Sequence, residues 1–178
     1  MSPISPAPVP ALRSLLFLVL SLAAVPGLAR AEIKVGDAFP DLTPAAASPL
    51  AGAKLPATQG QVVLVDFWAS WCAPCKASFP MMARLHQEFA PKGLVIAAVG
   101  IDEKAPAAAA FAKKLAPPFP TLHDATQALV RQVVVPTMPT SYLVGRDGRV
   151  RFIHQGFHGD RTETELRRQI TALLAEKT

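Results

Sequence analysis

Between residues 61 and 100 the apolar side chains fall into two blocks of strand length, separated by one with helical spacing. Gln61 to Ala69 carries Val62, Val63, Leu64, Val65 and Phe67 in a nearly unbroken run. A strand with one wet face would alternate, so this run predicts a central strand covered on both sides. Leu94 to Gly100 repeats the pattern and predicts a second buried strand. Between them, Ala73 to Phe89 places Phe79, Met82, Leu85 and Phe89 three or four residues apart. That is the period of one helix face, with Pro80 inside it as an expected kink.

Downstream, the Ala-rich segment Ala105 to Leu115 predicts a second helix. Thr140 to Val144 and Val150 to His154 read as two strands joined by the turn signal Gly145-Arg146-Asp147-Gly148. The last element opens on Thr162-Glu163-Thr164-Glu165, a capping box, and continues as a helix with Leu166, Ile170 and Leu173 on one face. The order is therefore β-α-β-α-β-β-α. A helical crossover makes the first two strands parallel, and a tight turn makes the last two antiparallel. The expected fold is α/β: a mixed central sheet flanked by helices, preceded by an N-terminal extension.

The two ends of the chain differ in character. Leu15 to Ala24 is an apolar run preceded by Arg13 and followed by Pro26, Gly27 and Ala29-Arg30-Ala31. A positive start, a short apolar core and an A-x-A site are the parts of a secretory signal, which predicts export to the periplasm or beyond and cleavage after Ala31. The alternative is an uncleaved membrane anchor, although the run is shorter than the ~20 residues that span a bilayer and is broken by Pro26. Residues 1–31 are thus read as a signal peptide, 32–60 as an Ala-, Pro- and Gly-rich extension with room for a small edge hairpin, and 61–178 as the core of one domain.

At 178 residues, with 51% apolar residues, the chain has enough material for one core and too little for two. The net charge of +5 includes Arg13 and Arg30 of the leader. The remaining basic residues scatter from Lys34 to Lys177, and the densest group, Arg146, Arg149, Arg151, Arg161, Arg167 and Arg168, is interrupted by Asp147, Asp160, Glu163 and Glu165. This is a solvated face rather than a nucleic-acid footprint.

The candidate chemistry lies in Val65-Asp66-Phe67-Trp68-Ala69-Ser70-Trp71-Cys72-Ala73-Pro74-Cys75-Lys76. A C-x-x-C pair at a strand-to-helix junction reads as a redox motif. Cys72 falls at the first turn of the helix, where unpaired N–H groups and the dipole stabilise a thiolate. Cys75 lies three residues along and is expected to be more shielded. Cys72 would attack a partner disulfide and Cys75 would resolve the mixed disulfide. A purely structural disulfide at this spacing closes almost no loop and stabilises little. A zinc site needs about four ligands, and His86, His123, His154 and His158 have no convincing ligand spacing, His86 being expected on the helix surface. No metal and no cofactor is expected. Asp66, a carboxylate inside an apolar strand, is costly unless it has a task. It is a candidate proton acceptor for Cys75, the alternative being a buried acid satisfied by a neighbour.

With Pro80 five residues after Cys75, this motif resembles the thioredoxin superfamily, and the lead-in with Val35-Gly36-Asp37 is similar to its exported TlpA-like (ResA- and DsbE-like) branch. The resemblance runs from Val35 to the last helix and implies a thioredoxin fold and thiol:disulfide oxidoreductase activity. It also implies that Pro139 of Met138-Pro139-Thr140 follows a cis bond facing the cysteines, so that Trp71, Met138 and Pro139 would meet the substrate. The implied partners are a protein disulfide, with apocytochrome c as a candidate, and a membrane electron donor of the thiol:disulfide interchange type. The chain departs from the branch at Ser78, where related reductants often carry Glu, and at Asp66, where the branch often carries Asn. Two other activities stay open: a general disulfide oxidase or isomerase, and a copper-handling chaperone using the thiols as soft ligands.

Overall fold

The computed structural model describes residues 32–43, 47–50, 54 and 57–176, so the signal-peptide reading of residues 1–31 lies outside the described residues. Ten elements follow in chain order: β1 (Ser48–Pro49), β2 (Val62–Trp68), α1 (Ala73–Phe89), β3 (Leu94–Gly100), α2 (Ala105–Leu115), β4 (Thr121–His123), α3 (Ala128–Val133), β5 (Thr140–Val144), β6 (Val150–Gln155) and α4 (Asp160–Ala175). A short 3-10 turn, Ala90–Lys92, links α1 to β3. The six strands form one sheet in the order β1-β4-β3-β2-β5-β6.

β2 is the centre of this sheet, parallel to β3 and antiparallel to β5, and every one of its residues is buried. Its continuous apolar sequence follows from that double cover. Alternate side chains feed two cores. Val62, Leu64 and Trp68 join the α1 and α4 side with Phe79, Met82, Leu85, Leu166 and Ile170. Val63, Val65 and Phe67 join the other side with Val99, Leu129, Val133 and Tyr142. Trp68 anchors the first core, stacked on Phe111 at 4.8 Å between centroids and edge-on to Phe79 at 5.7 Å.

The structure adds elements that the apolar pattern does not reveal. β4 has only three residues, and α3 six, both below the length at which periodicity registers. α3 is held instead by Asp124, whose two carboxylate oxygens accept the Ala128 and Val130 N–H groups at 2.9 and 2.8 Å. The edge hairpin expected in the extension is replaced by longer-range pairing. β1 runs antiparallel to β4, while Ala38 bridges Arg149 at the β5–β6 turn.

The last helix begins three residues earlier than the capping box suggests, with Gly159 rather than Thr162 at its N-cap. The Thr162 hydroxyl instead accepts the His158 N–H at 3.0 Å. Pro80 lies inside α1 without ending it. His86 is partly buried rather than on the surface, its ring 6.0 Å from that of Phe119. The arginine-rich group is paired in part: Arg167 reaches Glu163 and Glu88, Arg161 reaches Glu165 and Arg151 reaches Asp147, while Arg146 and Arg149 donate to backbone carbonyls.

Gly100 pairs directly with Trp68. A methyl group at this position would lie 2.8 Å from the indole ring, and the ring is fixed between Phe111 and Phe79. Gly100→Ala is therefore expected to destabilise the protein by about 1–3 kcal/mol through overpacking. The measurement is urea unfolding, in which the midpoint should fall at an unchanged m-value.

Candidate active site

β2 delivers the chain to the site. Its hydrogen-bonded partners on both edges leave it no lateral freedom, and it ends at Trp68, where the backbone turns through Ala69, Ser70 and Trp71 into α1. The turn is held from the side by Asp102, in the loop after β3. One Asp102 oxygen accepts the Ser70 backbone N–H at 3.0 Å, and the other accepts the Ser70 hydroxyl at 2.5 Å. Asp102 is tied in turn to β4, its carbonyl lying 2.7 Å from His123 Nε2. The Ile101 N–H closes the junction by donating to the Trp68 carbonyl at 2.9 Å.

Cys72 is the N-cap of α1, and its Sγ accepts the Cys75 N–H at 3.2 Å. The two cysteines are joined as a disulfide with their Cα atoms 5.3 Å apart. Pro74 occupies the first turn, where a missing N–H costs nothing. The exposures differ, Cys72 being 4% and Cys75 0% exposed. Beside them Trp71 stands out at 70%, next to a cavity of about 330 Å³ lined by Ser70, Ile101, Glu103, Lys104 and Gln127. A second cavity, of about 310 Å³, lies at the far end of β2 around Phe39, Val63 and the Gly145–Gly148 turn, away from the cysteines.

The Met138–Pro139 peptide bond is cis. Met138 packs against the core cluster that holds both cysteines. Pro139 is buried, and its carbonyl accepts the Gly156 N–H at 2.7 Å, which fixes the start of β5 against the end of β6. The Thr140 hydroxyl donates to the Thr137 carbonyl at 2.8 Å and closes the bend. Ser78 is buried and donates its hydroxyl to the Cys75 carbonyl at 2.8 Å.

Asp66 is 1% exposed. Alternation along β2 places it with Leu64 and Trp68 on the sheet face that carries Cys75. Its Oδ1 accepts the Ser141 hydroxyl at 2.6 Å, whereas Oδ2 is buried without a hydrogen-bond partner. Burial pushes its carboxyl up to about 7, and the Ser141 hydrogen bond pulls the other way. Three carboxylates are buried among the described residues. Asp102 spends both oxygens on the backbone N–H and hydroxyl of Ser70 and Asp124 spends both on the N–H groups of α3, and only Asp66 of the three keeps an oxygen unused. Among the described residues no group of three or more His, Cys, Asp or Glu side chains is placed to hold a metal ion.

The candidates read from the sequence are therefore distributed as follows. Cys72 and Cys75 are bonded, Met138 packs with them, Pro139 supports the adjoining backbone, Asp66 lies beneath on the same face, and Trp71 projects outward. Ser141 and Asp102 escape a reading of the sequence, because each acts on a residue far from it in the chain.

A family model described as Redoxin matches residues 34–170. The thiol-disulfide oxidoreductase ResA of Oceanobacillus iheyensis is 33% identical over 126 residues, which cover 69% of this chain and 66% of that protein. ResA of Bacillus subtilis is 34% identical over 92 residues, covering 52% and 51%. The chain thus spans about half to two thirds of the length of these curated relatives. A solved structure from Chlorobium tepidum, titled as a thiol:disulfide interchange protein DsbE, superposes with a TM-score of 0.70 at 33% identity, covering 81% of this chain and all of that one. The thioredoxin domain of a Bacteroides vulgatus thiol-disulfide oxidoreductase, at 19% identity, shares the fold with a TM-score of 0.67, covering 78% of this chain and 99% of its own. The architecture is a thioredoxin fold, and the chain belongs to the Redoxin family.

Proposed function

We propose that the chain is a thiol:disulfide oxidoreductase that reduces disulfides of partner proteins outside the cytoplasm. The observation that carries this reading is the Cys72–Cys75 disulfide at the N-terminus of α1, over a sheet face holding a buried carboxylate with one unpartnered oxygen. The ResA relatives and the DsbE-titled structure support it by name and likeness.

In the reduced protein the N–H groups of the first helical turn stabilise the Cys72 thiolate. That thiolate attacks a partner disulfide, forming a mixed disulfide and releasing one partner thiolate. Cys75 then gives its proton to Asp66 and attacks the Cys72 sulfur. The Cys72–Cys75 bond forms, the bond to the partner breaks, and the second partner sulfur leaves with the electron pair. Two electrons pass to the partner, and a membrane donor of the interchange type restores the dithiol. Trp71, Met138 and Pro139 border the approach of the substrate. An extended substrate segment would pair with the backbone at Met138 as a strand does. Residues 1–31 serve as a signal peptide, 32–60 as an N-terminal extension and 61–178 as the thioredoxin-fold core, and apocytochrome c is the candidate substrate.

Three outcomes test this reading. The difference in exposure between the cysteines sets their roles: Cys72→Ser should abolish exchange, and Cys75→Ser should accumulate a mixed disulfide with the partner, read by non-reducing electrophoresis and mass spectrometry. Faster alkylation of Cys75 than of Cys72 would reverse the assignment.

Asp66 links the mechanism to stability. Its folded-state carboxyl, raised to about 7 from 3.8, binds a proton that the unfolded chain releases. Stability from this group is therefore full below about pH 4 and is lost as pH rises toward 7. Asp66→Asn should remove that slope in urea titrations, raise stability above pH 7, and slow resolution by Cys75 near neutral pH. A retained slope would mean that Asp66 is not the titrating group.

The direction of electron flow is tested by the reduction potential. Ala73 and Pro74 bring no cation to the thiols, and Lys76 is exposed, so the Cys72 thiolate has only an ordinary helix end to stabilise it. A thioredoxin-like potential of about −200 to −270 mV is expected on equilibration with glutathione buffers. A value near −120 mV, that of a strong oxidant, would favour the oxidase activity instead.

A further inference from the structure

Asp66 is one member of a polar row across three strands. Antiparallel pairing sets it opposite Ser141 on β5, and Ser141 opposite His154 on β6. Directly opposed residues point to the same side of a sheet, here the side that faces α1 and α4. The three members are not equivalent. His154 turns toward α4, with Nε2 2.7 Å from Gln169 Oε1 and Nδ1 3.8 Å from Glu165. Ser141, 6% exposed, gives its single hydroxyl hydrogen to Asp66 Oδ1. The hydroxyl next to it in sequence, on Thr140, is committed to the Thr137 carbonyl, so it cannot take the place of Ser141.

A carboxylate turns about its Cβ–Cγ bond, and with no anchor its two oxygens are interchangeable. Anchoring Oδ1 at 2.6 Å fixes the carboxylate plane and leaves Oδ2 as the oxygen with unspent acceptor capacity. We propose that Ser141 is a positioning residue for thiol–disulfide exchange, its hydroxyl locking Asp66 so that Oδ2 is the oxygen that receives the Cys75 proton. This inference rests on the reading of Asp66 as the proton acceptor. In the step it serves, the Cys75 S–H bond breaks and an Oδ2–H bond forms. The Cys75 sulfur bonds to that of Cys72, and the partner sulfur departs with the electron pair. Ser141 keeps its own hydrogen throughout.

The same hydrogen bond favours the charged carboxylate and so offsets part of the effect of burial. The titratable groups on this face are Cys72 and Cys75 from α1 and His154 from β6, with Glu165 of α4 beyond it and His86 farther along α1 against Phe119. The β3 neighbour Ala98 and the α4 side chains Leu166, Gln169 and Ile170 carry no charge.

The experiment compares Ser141→Ala, Ser141→Thr, Asp66→Asn and the Ser141→Ala/Asp66→Asn double variant. Two quantities are read: the titration of the Asp66 carboxyl by carbon NMR in the oxidised protein, and the pH profile of resolution by Cys75 after oxidised glutathione is mixed with the reduced protein. Ser141→Ala should move the Asp66 midpoint up by about one to two pH units, the equivalent of one hydrogen bond to a charged group. It should also slow resolution at pH 7 about ten-fold. Ser141→Thr, which keeps the hydroxyl, should restore both, and Ser141→Ala should add nothing to Asp66→Asn. An unmoved midpoint in Ser141→Ala, a failure of Ser141→Thr to restore it, or equal slowing in the Asp66→Asn background would overturn the assignment of Ser141. A wild-type pH profile in Asp66→Asn would overturn Asp66 as the proton acceptor, whatever Ser141 does. A changed profile there beside an unchanged one in Ser141→Ala would overturn Ser141 alone.

Discussion

The confinement of β2 is the constraint on which the rest of the structure depends. Hydrogen-bonded along both edges and buried along both faces, this strand has one position available to it. The point where it leaves the sheet is therefore fixed as well. Cys72 comes four residues after Trp68, too few for the chain to wander, and Asp102 removes what freedom remains by holding Ser70 from the neighbouring loop. A cysteine at a helix N-cap is an ordinary local arrangement. Its placement here over one particular sheet face follows from the pairing of β2 with β3 and β5 and from the hold of Asp102 on Ser70.

The same confinement gives the buried acids different properties. A carboxylate removed from water is tolerated when its oxygens find donors, and Asp124 and Asp102 meet that condition completely, one on a helix end and the other on a loop. Asp66 meets it on one side only. Since β2 lies between β3 and β5, the groups nearest Asp66 are the side chain of Ala98, which offers nothing, and that of Ser141, which offers one hydrogen. A half-satisfied carboxylate holds its proton to higher pH, which is the property a proton acceptor working near neutrality requires.

Legibility in the sequence followed the range over which each signal acts. The central strands, α1 and the β5–β6 hairpin are written in local apolar patterning and turn residues, and they appear in the structure nearly where the pattern puts them. β4 and α3 were illegible because three and six residues are too few for a period. What holds α3 is a carboxylate cap rather than an apolar face. The cysteines and Asp66 stood out because each contradicts its surroundings: thiols at a strand-to-helix junction, an acid in an apolar run. Ser141 and Asp102 contradict nothing locally, as a serine in a short strand and an aspartate in a loop are both unremarked. Their importance comes from pairings 75 and 32 residues away in the chain, which no local pattern encodes.

Ser78, where the resemblance drawn from the sequence implies a helix carboxylate, has a geometry that bears on the chemistry. Ser78 turns back to the Cys75 carbonyl, and the acid–base role proposed above falls to a residue on the sheet. β2 is hydrogen-bonded along both edges, whereas the Cys72 end of α1 must let sulfur atoms approach and separate during the proposed exchange. With the proposed base on β2 and the thiols on α1, the distance between proton donor and acceptor depends on how the helix sits on the sheet. That seating is set by Phe79, Met82 and Leu85 packing on the same face as Leu64 and Trp68, so the hydrophobic core beneath the site governs the proton transfer that the proposed exchange requires.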